Sequence, residues 1–240
     1  MKVLVVGDLH CNPWAARQVV NATEDHEVGE VWQVGDFGYW PGKPVYDKFI
    51  GHFDDLNVPL LFADGNHENH AILRSGSPGL VPRPINAHVT HMPRGYVHDV
   101  DGLKIMFFGG ARSVDRIYRR AYESWFPEEL PTPADWERAA ETDTVDVVVA
   151  HDAPPAQDYF YNDDNPIWPI HDILVGNDFR RELEELRARL QPSVWFHGHH
   201  HQFQHTTHDG TEIWGLREDA TDGCFALFDT ESLEVTPIGI

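Results

Sequence analysis

Five short apolar runs in this chain each stop at a small residue and hand over at once to Asp, Asn or His. No other feature restricts the possible folds as tightly. Leu60-Leu61-Phe62-Ala63-Asp64 runs into Gly65-Asn66-His67-Glu68-Asn69-His70, and the others finish in Gly7-Asp8-Leu9-His10, Gly35-Asp36, Ala150-His151 and Gly198-His199-His200-His201. Short apolar runs cut off by turn residues are the pattern of buried strands. Strands that each deliver a metal-binding or proton-transferring side chain from the C-terminal end suggest one shared site with the rest of the chain as its scaffold.

The runs between these strands support that reading. Lys2 to Val6 is the first strand, and Pro13 to about Asp25 has a proline start and helical spacing. Glu30 to Val34 is the second strand, Tyr46 to Leu56 a helix, and Val58 to Ala63 the third strand. Strand, helix, strand in alternation is an α/β pattern and favours parallel pairing with right-handed crossovers.

Residues 75–95 are rich in Pro, Gly and Ser and read as irregular loop. Tyr96 to Val100 and Leu103 to Phe108 form a hairpin around Asp101-Gly102. Ala134 to Glu141 is a short helix and Asp146 to Ala150 a strand. Residues 152–177 form an irregular, proline-rich insert of the kind that overhangs sites. Asp178 to Leu190 is a helix and Ser193 to Phe196 a strand. The tail (Thr211 to Leu216, Cys224 to Asp229, Glu234 to Ile238) looks like an antiparallel edge. No repeat or linker divides the 240 residues, so one domain spanning 1–240 is expected, with a mixed sheet or two packed sheets.

Composition removes some functions. The apolar share of 41 % and aromatic share of 12 % suit a globular core. No run approaches the roughly 18 apolar residues of a membrane span. Met1 to Asp8 is too short and too soon charged for a signal peptide, so a soluble, cytoplasmic chain is expected. Two cysteines, Cys11 and Cys224, are too few for a disulfide framework. Cys11 follows His10 and reads as a small buried thiol, with a metal or redox role as the alternative. The net charge of -21, from 18 basic and 39 acidic residues, argues against stable binding of long nucleic acid. A small anionic substrate stays open if metal ions supply positive charge locally.

Asp8 and His10 stand two apart beyond a strand end, so in extended geometry both can reach one ion. His199 and His201 repeat that spacing. Asp36 can bridge two ions, and Asn66 and His151 complete a set of oxygen and nitrogen ligands. Two divalent ions roughly 3.5–4 Å apart are the usual arrangement for in-line attack on phosphorus. Mixed His and carboxylate ligation suits manganese first, then iron or zinc, better than magnesium or calcium.

Together these motifs, in this order over residues 1 to about 205, resemble the calcineurin-like metallophosphoesterases, in their small phage and bacterial form. The resemblance implies an α/β (α+β) sandwich of two packed mixed β-sheets flanked by helices. It implies one ion held by Asp8, His10, Asp36 and His201, and another by Asp36, Asn66, His151 and His199. It places His67 at the leaving group, as proton donor or phosphate contact beside Asn66, and it implies phosphoester hydrolysis by a metal-activated hydroxide. Arg112, Arg116, Arg119 and Arg120 would share one face of a helix and could either clamp a substrate phosphate, with Arg112 and Arg116 favoured, or merely pair with the acidic surface. Gly109 to Arg116 also resembles a Gly-Gly-Ala-x-Ser-hydrophobic-Asp stretch of phage and bacterial members.

The departures matter too. Protein Ser/Thr phosphatases carry Asp and Arg after the second motif, whereas Asp36 is followed by Phe37-Gly38-Tyr39-Trp40. A protein phosphatase and a diadenosine-tetraphosphate hydrolase therefore lose support, and Asp64 or Glu68 could take over as the carboxylate partner of His67. His197 is expected to pack and His200 to be exposed. The leading reading is a phosphodiesterase of small nucleotides, first 2',3'-cyclic nucleotides. The alternatives are a nuclease, a phosphomonoesterase and a non-catalytic scaffold of the same fold. Substrate choice would fall to loops 37–45, 75–95 and 152–177, with Tyr159, Phe160, Tyr161 and Trp168 lining a pocket or a subunit contact.

Overall fold

The computed structural model describes residues 1–75, 81–156 and 168–239. In chain order the elements are β1 (Lys2–Val6), α1 (Pro13–His26), β2 (Glu30–Gln33), α2 (Pro44–Gly51), β3 (Leu60–Phe62), α3 (His70–Leu73), β4 (Arg83–Pro84), β5 (Val89–His91), β6 (Tyr96–Val100) and β7 (Leu103–Phe108). There follow α4 (Pro133–Ala140), β8 (Val147–Ala150), α5 (Ile170–Leu190), β9 (Val194–His197), β10 (Gln204–His208), β11 (Thr211–Gly215), β12 (Phe225–Asp229) and β13 (Val235–Ile238). Helix starts follow local chemistry: the Asn12 side chain accepts from Trp14 N at 3.0 Å with Pro13 next in line, and Thr132 and Asp135 form a capping box around Pro133.

Two mixed sheets pack face to face. The first runs β13-β12-β1-β2-β3-β5-β4 and the second β10-β11-β9-β8-β7-β6. Parallel pairing joins β1, β2, β3 and β5 in one sheet and β7, β8, β9 and β11 in the other. The period of two sorts each strand between layers. Val3 and Val5 face the second sheet, whereas Leu4 and Val6 face α1 and α2. Ile105 and Phe107 face the first sheet, whereas Met106 and Phe108 pack with α4 and α5. The core between the sheets is thus built from both, with Trp32, Phe107, Phe196 and Phe228 fully buried. Emptying one such position, as in Phe107→Ala, costs about 3–5 kcal/mol. The expected architecture of two helix-flanked mixed sheets is what the chain adopts.

Four local expectations need correction. Within 75–95, β5 pairs in parallel with β3, because Val89 and His91 bury into the sheet despite the prolines around them. The helix expected from Asp178 starts at Ile170, directly after Pro169, so the stretch 170–177 is not loop. The segment 112–120 is not an α-helix: it holds one 3-10 turn, Arg116–Tyr118. The tail is no simple antiparallel edge. β11 runs antiparallel to β10 but parallel to β9 in the second sheet, whereas β12 pairs antiparallel with both β1 and β13 in the first. Residues 76–80 and 157–167, with Tyr159, Phe160 and Tyr161, lie outside the described residues. Among those described, no helix is long and apolar enough to cross a membrane.

Candidate active site

The parallel strands send their C-terminal ends into one cluster, the usual binding edge of parallel α/β sheets. β1 leads to Asp8 and His10, β2 to Asp36, β3 to Asn66 and His67, β8 to His151, and β9 to His199 and His201. Asp8 Oδ2 lies 3.1 Å from His201 Nε2 and 3.9 Å from His10 Nε2. Asp36 is central, with Oδ2 at 3.4 Å from His10 Nε2 and Oδ1 at 3.3 Å from His151 Nε2. Asn66 Oδ1 is 3.2 Å from His151 Nε2, and the rings of His151 and His199 are 5.1 Å apart. Asp8, His10 and His201 thus gather on one side of Asp36 and Asn66, His151 and His199 on the other, with Asp8 also reaching across to His151 at 4.0 Å and accepting from the His199 N–H at 3.2 Å.

Backbone geometry at these positions is unusual. His10, Asp36, His199 and His201 all take positive φ, between 45° and 62°. Side chains seldom adopt that region, and it costs free energy that the surrounding structure must offset. Two glycines are obligatory for a different reason. A Cβ on Gly65 would meet Asp36 Oδ1 at 2.2 Å, and one on Gly198 would meet Asp8 Oδ1 at 1.9 Å. The glycines that end the strands make room for the carboxylates of their neighbours.

The charge balance tests whether cations fit. Asp8 and Asp36 are buried, and their ion-pair partners among the described residues are histidines. Burial alone would lower His10, yet Asp219, Asp36 and Asp8 push it up to about 11. Burial would lower His151 as well, yet Asp36 and Asp8 push it up to about 10. Burial raises Asp36 but His151, His67 and His10 hold it well below the usual carboxylate range. Buried carboxylates that raise the pKa of neighbouring imidazoles mark a site that favours positive charge. The Asp/His clusters, with donor atoms within 4.8 Å of one another, suit a pair of metal ions.

His67 adjoins both groups. Its backbone N–H donates to Asp36 Oδ1 at 2.8 Å, its carbonyl accepts from the Trp40 indole at 2.7 Å, and its ring Nε2 is 3.9 Å from Asp36 Oδ2. Desolvation moves its pKa down; Asp36 opposes this, and the positive charge of Arg119 and His10 adds to it. Neither carboxylate expected beside His67 is there. Glu68 accepts from the backbone N–H of Phe37 and Gly38, and Asp64 is taken by Arg94 and His91. The group that does reach the ring is Arg119.

The arginines favoured as a phosphate clamp are engaged elsewhere. Arg112 donates to Asp172 at 2.6 and 3.1 Å and to Glu129 at 3.1 Å, and Arg116 donates to Asp172 at 2.9 Å. Arg112, Glu129 and Asp172 are all buried, so this ion network is a structural tie between the loop and the start of α5. Glu129 also accepts from the Ser113 hydroxyl, which in turn accepts from Asn66 Nδ2 at 3.1 Å. That chain turns Asn66 Oδ1 towards His151. Neither Glu129 nor Asp172 carries a sequence signal that links it to the site.

Two further acids do have a local signal. His10 Nδ1 is 3.5 Å from Asp219 Oδ1, and Asp219 N donates to Asp8 O at 2.7 Å. Asp219 follows β11, so it is one more acid beyond the end of a parallel strand, hidden by reading the tail as antiparallel. His200 is buried rather than exposed, and donates to Asp152 Oδ1 at 2.8 Å. Asp152 directly follows His151 at the end of β8. His197 is buried, as expected of a packing residue. Cys11 and Cys224 are both free and buried, and Cys11 packs in the helix-side core of the first sheet.

The sequence model of the calcineurin-like phosphoesterases matches residues 1–203. Solved structures of similar fold include an archaeal phosphodiesterase, with TM-score 0.50, 16 % identity and 100 % of both chains covered. A Thermus thermophilus protein, TT1561, has TM-score 0.64 at 11 % identity, over 99 % of this chain and 98 % of that one. A dimetal phosphatase from Danio rerio has TM-score 0.57 at 13 % identity, over 95 % and 91 %. At such identities the likeness is one of fold. No curated protein matches the chain in sequence.

Proposed function

The chain belongs to the calcineurin-like phosphoesterase family, hydrolases of phosphoester bonds, and from that premise we propose a phosphodiesterase of small nucleotides, with 2',3'-cyclic nucleotides as its leading substrates. The observation that carries the reading is the gathering of ligand residues on both sides of Asp36, with the His67 ring against Asp36 at 3.9 Å. Asp8, His10, Asp36 and His201 would hold one divalent ion, and Asp36, Asn66, His151 and His199 the other, manganese first and iron or zinc next. When bound, the ions acidify water and offset charge on phosphoryl oxygens. His67 meets the leaving oxygen and hands it a proton or a hydrogen bond. Trp40 and the Asp36 carboxylate fix its backbone, so the ring is aimed before substrate arrives.

Charge supports a diester over a monoester. The cation touching His67 is Arg119, and it is partly offset by Asp115 at 2.9 Å. A diester monoanion asks less compensating charge of such a site than a monoester dianion. The excess of acidic residues disfavours long nucleic acid. The archaeal phosphodiesterase of similar fold is in keeping with this choice. The intersheet core built from both sheets favours one domain, and two free cysteines accord with the cytoplasm.

The test is manganese-reconstituted protein on a panel of aryl and nucleotide mono- and diesters, with single- and double-stranded DNA alongside. Cleavage of 2',3'-cyclic nucleotides and aryl diesters at least about tenfold faster than monoesters is expected, a gap of about 1.4 kcal/mol in barrier. Preference for DNA would make it a nuclease, and inertness on every ester with metal bound would make it a scaffold.

A further inference from the structure

The four arginines of segment 112–120 have different fates, and one of them turns towards His67. Arg112 and Arg116 are neutralised by Asp172 and Glu129, with Arg116 also stacked 5.3 Å over the Trp125 ring. Arg120 stands exposed opposite Glu123 at 3.6 Å. Arg119 turns inward: its side chain is only 10 % exposed, and Nη2 lies 2.6 Å from His67 Nε2 and 3.3 Å from Nδ1.

Its placement is built in. The 3-10 turn Arg116–Tyr118 is closed by Tyr118 N to Asp115 O at 2.9 Å and Arg119 N to Arg116 O at 3.0 Å. That turn puts residues 115 and 119 on one side, where Asp115 accepts from Arg119 Nε at 2.9 Å. The carboxylate holds one edge of the guanidinium plane and leaves the Nη end projecting. On the N-terminal side the segment is tied down by the Arg112 and Arg116 contacts to Asp172. A guanidinium carries five N–H donors, and a neutral imidazole nitrogen accepts only one of them. His67 Nε2 is itself 3.9 Å from Asp36 Oδ2, so the Nη end borders the position any phosphoryl group must take to touch both His67 and the ligand groups.

We propose that Arg119 is a catalytic residue of this phosphoesterase: its Nη donors bind a non-bridging phosphoryl oxygen, and in doing so free the His67 Nε2 lone pair to take a proton from solvent and pass it to the leaving oxygen. The inference rests on the phosphoesterase reading. It replaces the clamp expected from Arg112 and Arg116 by a single arginine further along the same loop. Paired N–H donors on a phosphate are the strong form of hydrogen bond, and a fork of donors suits them better than an ammonium.

The experiment compares Arg119→Ala, Arg119→Lys and the exposed control Arg120→Ala as manganese-loaded proteins. The readouts are metal content, kcat and KM on an aryl diester, and competitive inhibition by inorganic phosphate. Arg119→Ala is expected to keep its metal, lose about 10²-fold in kcat/KM, and bind phosphate about tenfold more weakly. Added guanidinium should restore part of the lost rate, Arg119→Lys should fall between, and Arg120→Ala should match the unaltered protein. Unchanged phosphate inhibition with kcat/KM within about twofold would overturn the proposal, as would a loss accompanied by lost metal and no guanidinium rescue. If the unaltered protein cleaves no ester, the enzymatic reading fails on its own. Calorimetric titration of phosphate into loaded Arg119→Ala and unaltered protein then still decides whether Arg119 contacts phosphate.

Discussion

The strand-end cluster and the arginine-bearing loop are both dense in charge, yet they obey different rules. In the cluster, each of Asp8, Asp36, Asn66, His151 and His199 stands within a few residues of a buried parallel strand. Its destination is set as soon as the strand is set. In the loop, Arg112, Arg116, Arg119 and Arg120 are chemically alike and close in sequence, yet one network ties two of them to Asp172, one faces solvent, and one reaches His67. Rigid elements convert chain position into spatial position; a loop leaves that to whichever partner arrives from elsewhere.

Variants can break or sharpen this contrast. The largest effect belongs to Asp36→Ala, which removes the carboxylate common to both ligand groups. Metal analysis should show the ions lost, and activity should fall by about 10⁴-fold or more. If the ions stayed, the cluster would not be their cradle and the contrast would collapse. His67→Ala should separate chemistry from binding: metal content unchanged and turnover down by roughly 10³-fold. Full activity in that variant on every substrate would remove His67 from the mechanism.

Glu129→Ala probes the loop as a structural tie. It leaves Arg112 buried with only Asp172, and denaturant melts should show a loss of about 3–5 kcal/mol, with metal still bound by the folded fraction. Loss of metal instead would mean that the Ser113 contact holding Asn66 depends on Glu129, so that the cluster leans on the loop. Metal removal by a chelator reads the cluster alone. At ion concentrations about 100-fold above Kd, each reloaded ion should stabilise by about 2.7 kcal/mol, a rise of roughly 5–10 °C in Tm per ion by calorimetry. The smallest effect is Arg120→Ala, within about 0.5 kcal/mol, as for an exposed ion pair. A larger change there would show that the four arginines are not as unequal as their contacts imply.

Much of the fold and the cluster was legible because buried strands announce themselves. Alternation within Lys2 to Val6 or Ile105 to Phe108 divides apolar side chains between two layers, and a Gly-Asp or Gly-Asn stop marks where the chain leaves the sheet. What misled was local composition. Prolines around Val89 hid β5, and the prolines up to Pro169, with Gly176-Asn177 just before Asp178, hid the first turns of α5. The run after β11 concealed Asp219, since strand direction is decided by the partner strand and leaves no mark on the strand itself.

The sequence alone determined which residues could gather at strand ends, because a side-chain period of two and a glycine stop are properties of neighbours along the chain. Only the tertiary structure decided that Glu129 and Asp172 would claim Arg112 and Arg116, that Ser113 would turn Asn66, and that Arg119 would face His67. Those choices are made between groups that compete for charge and hydrogen bonds across dozens of residues. Such competition is settled by distance and burial, which no short stretch of sequence contains.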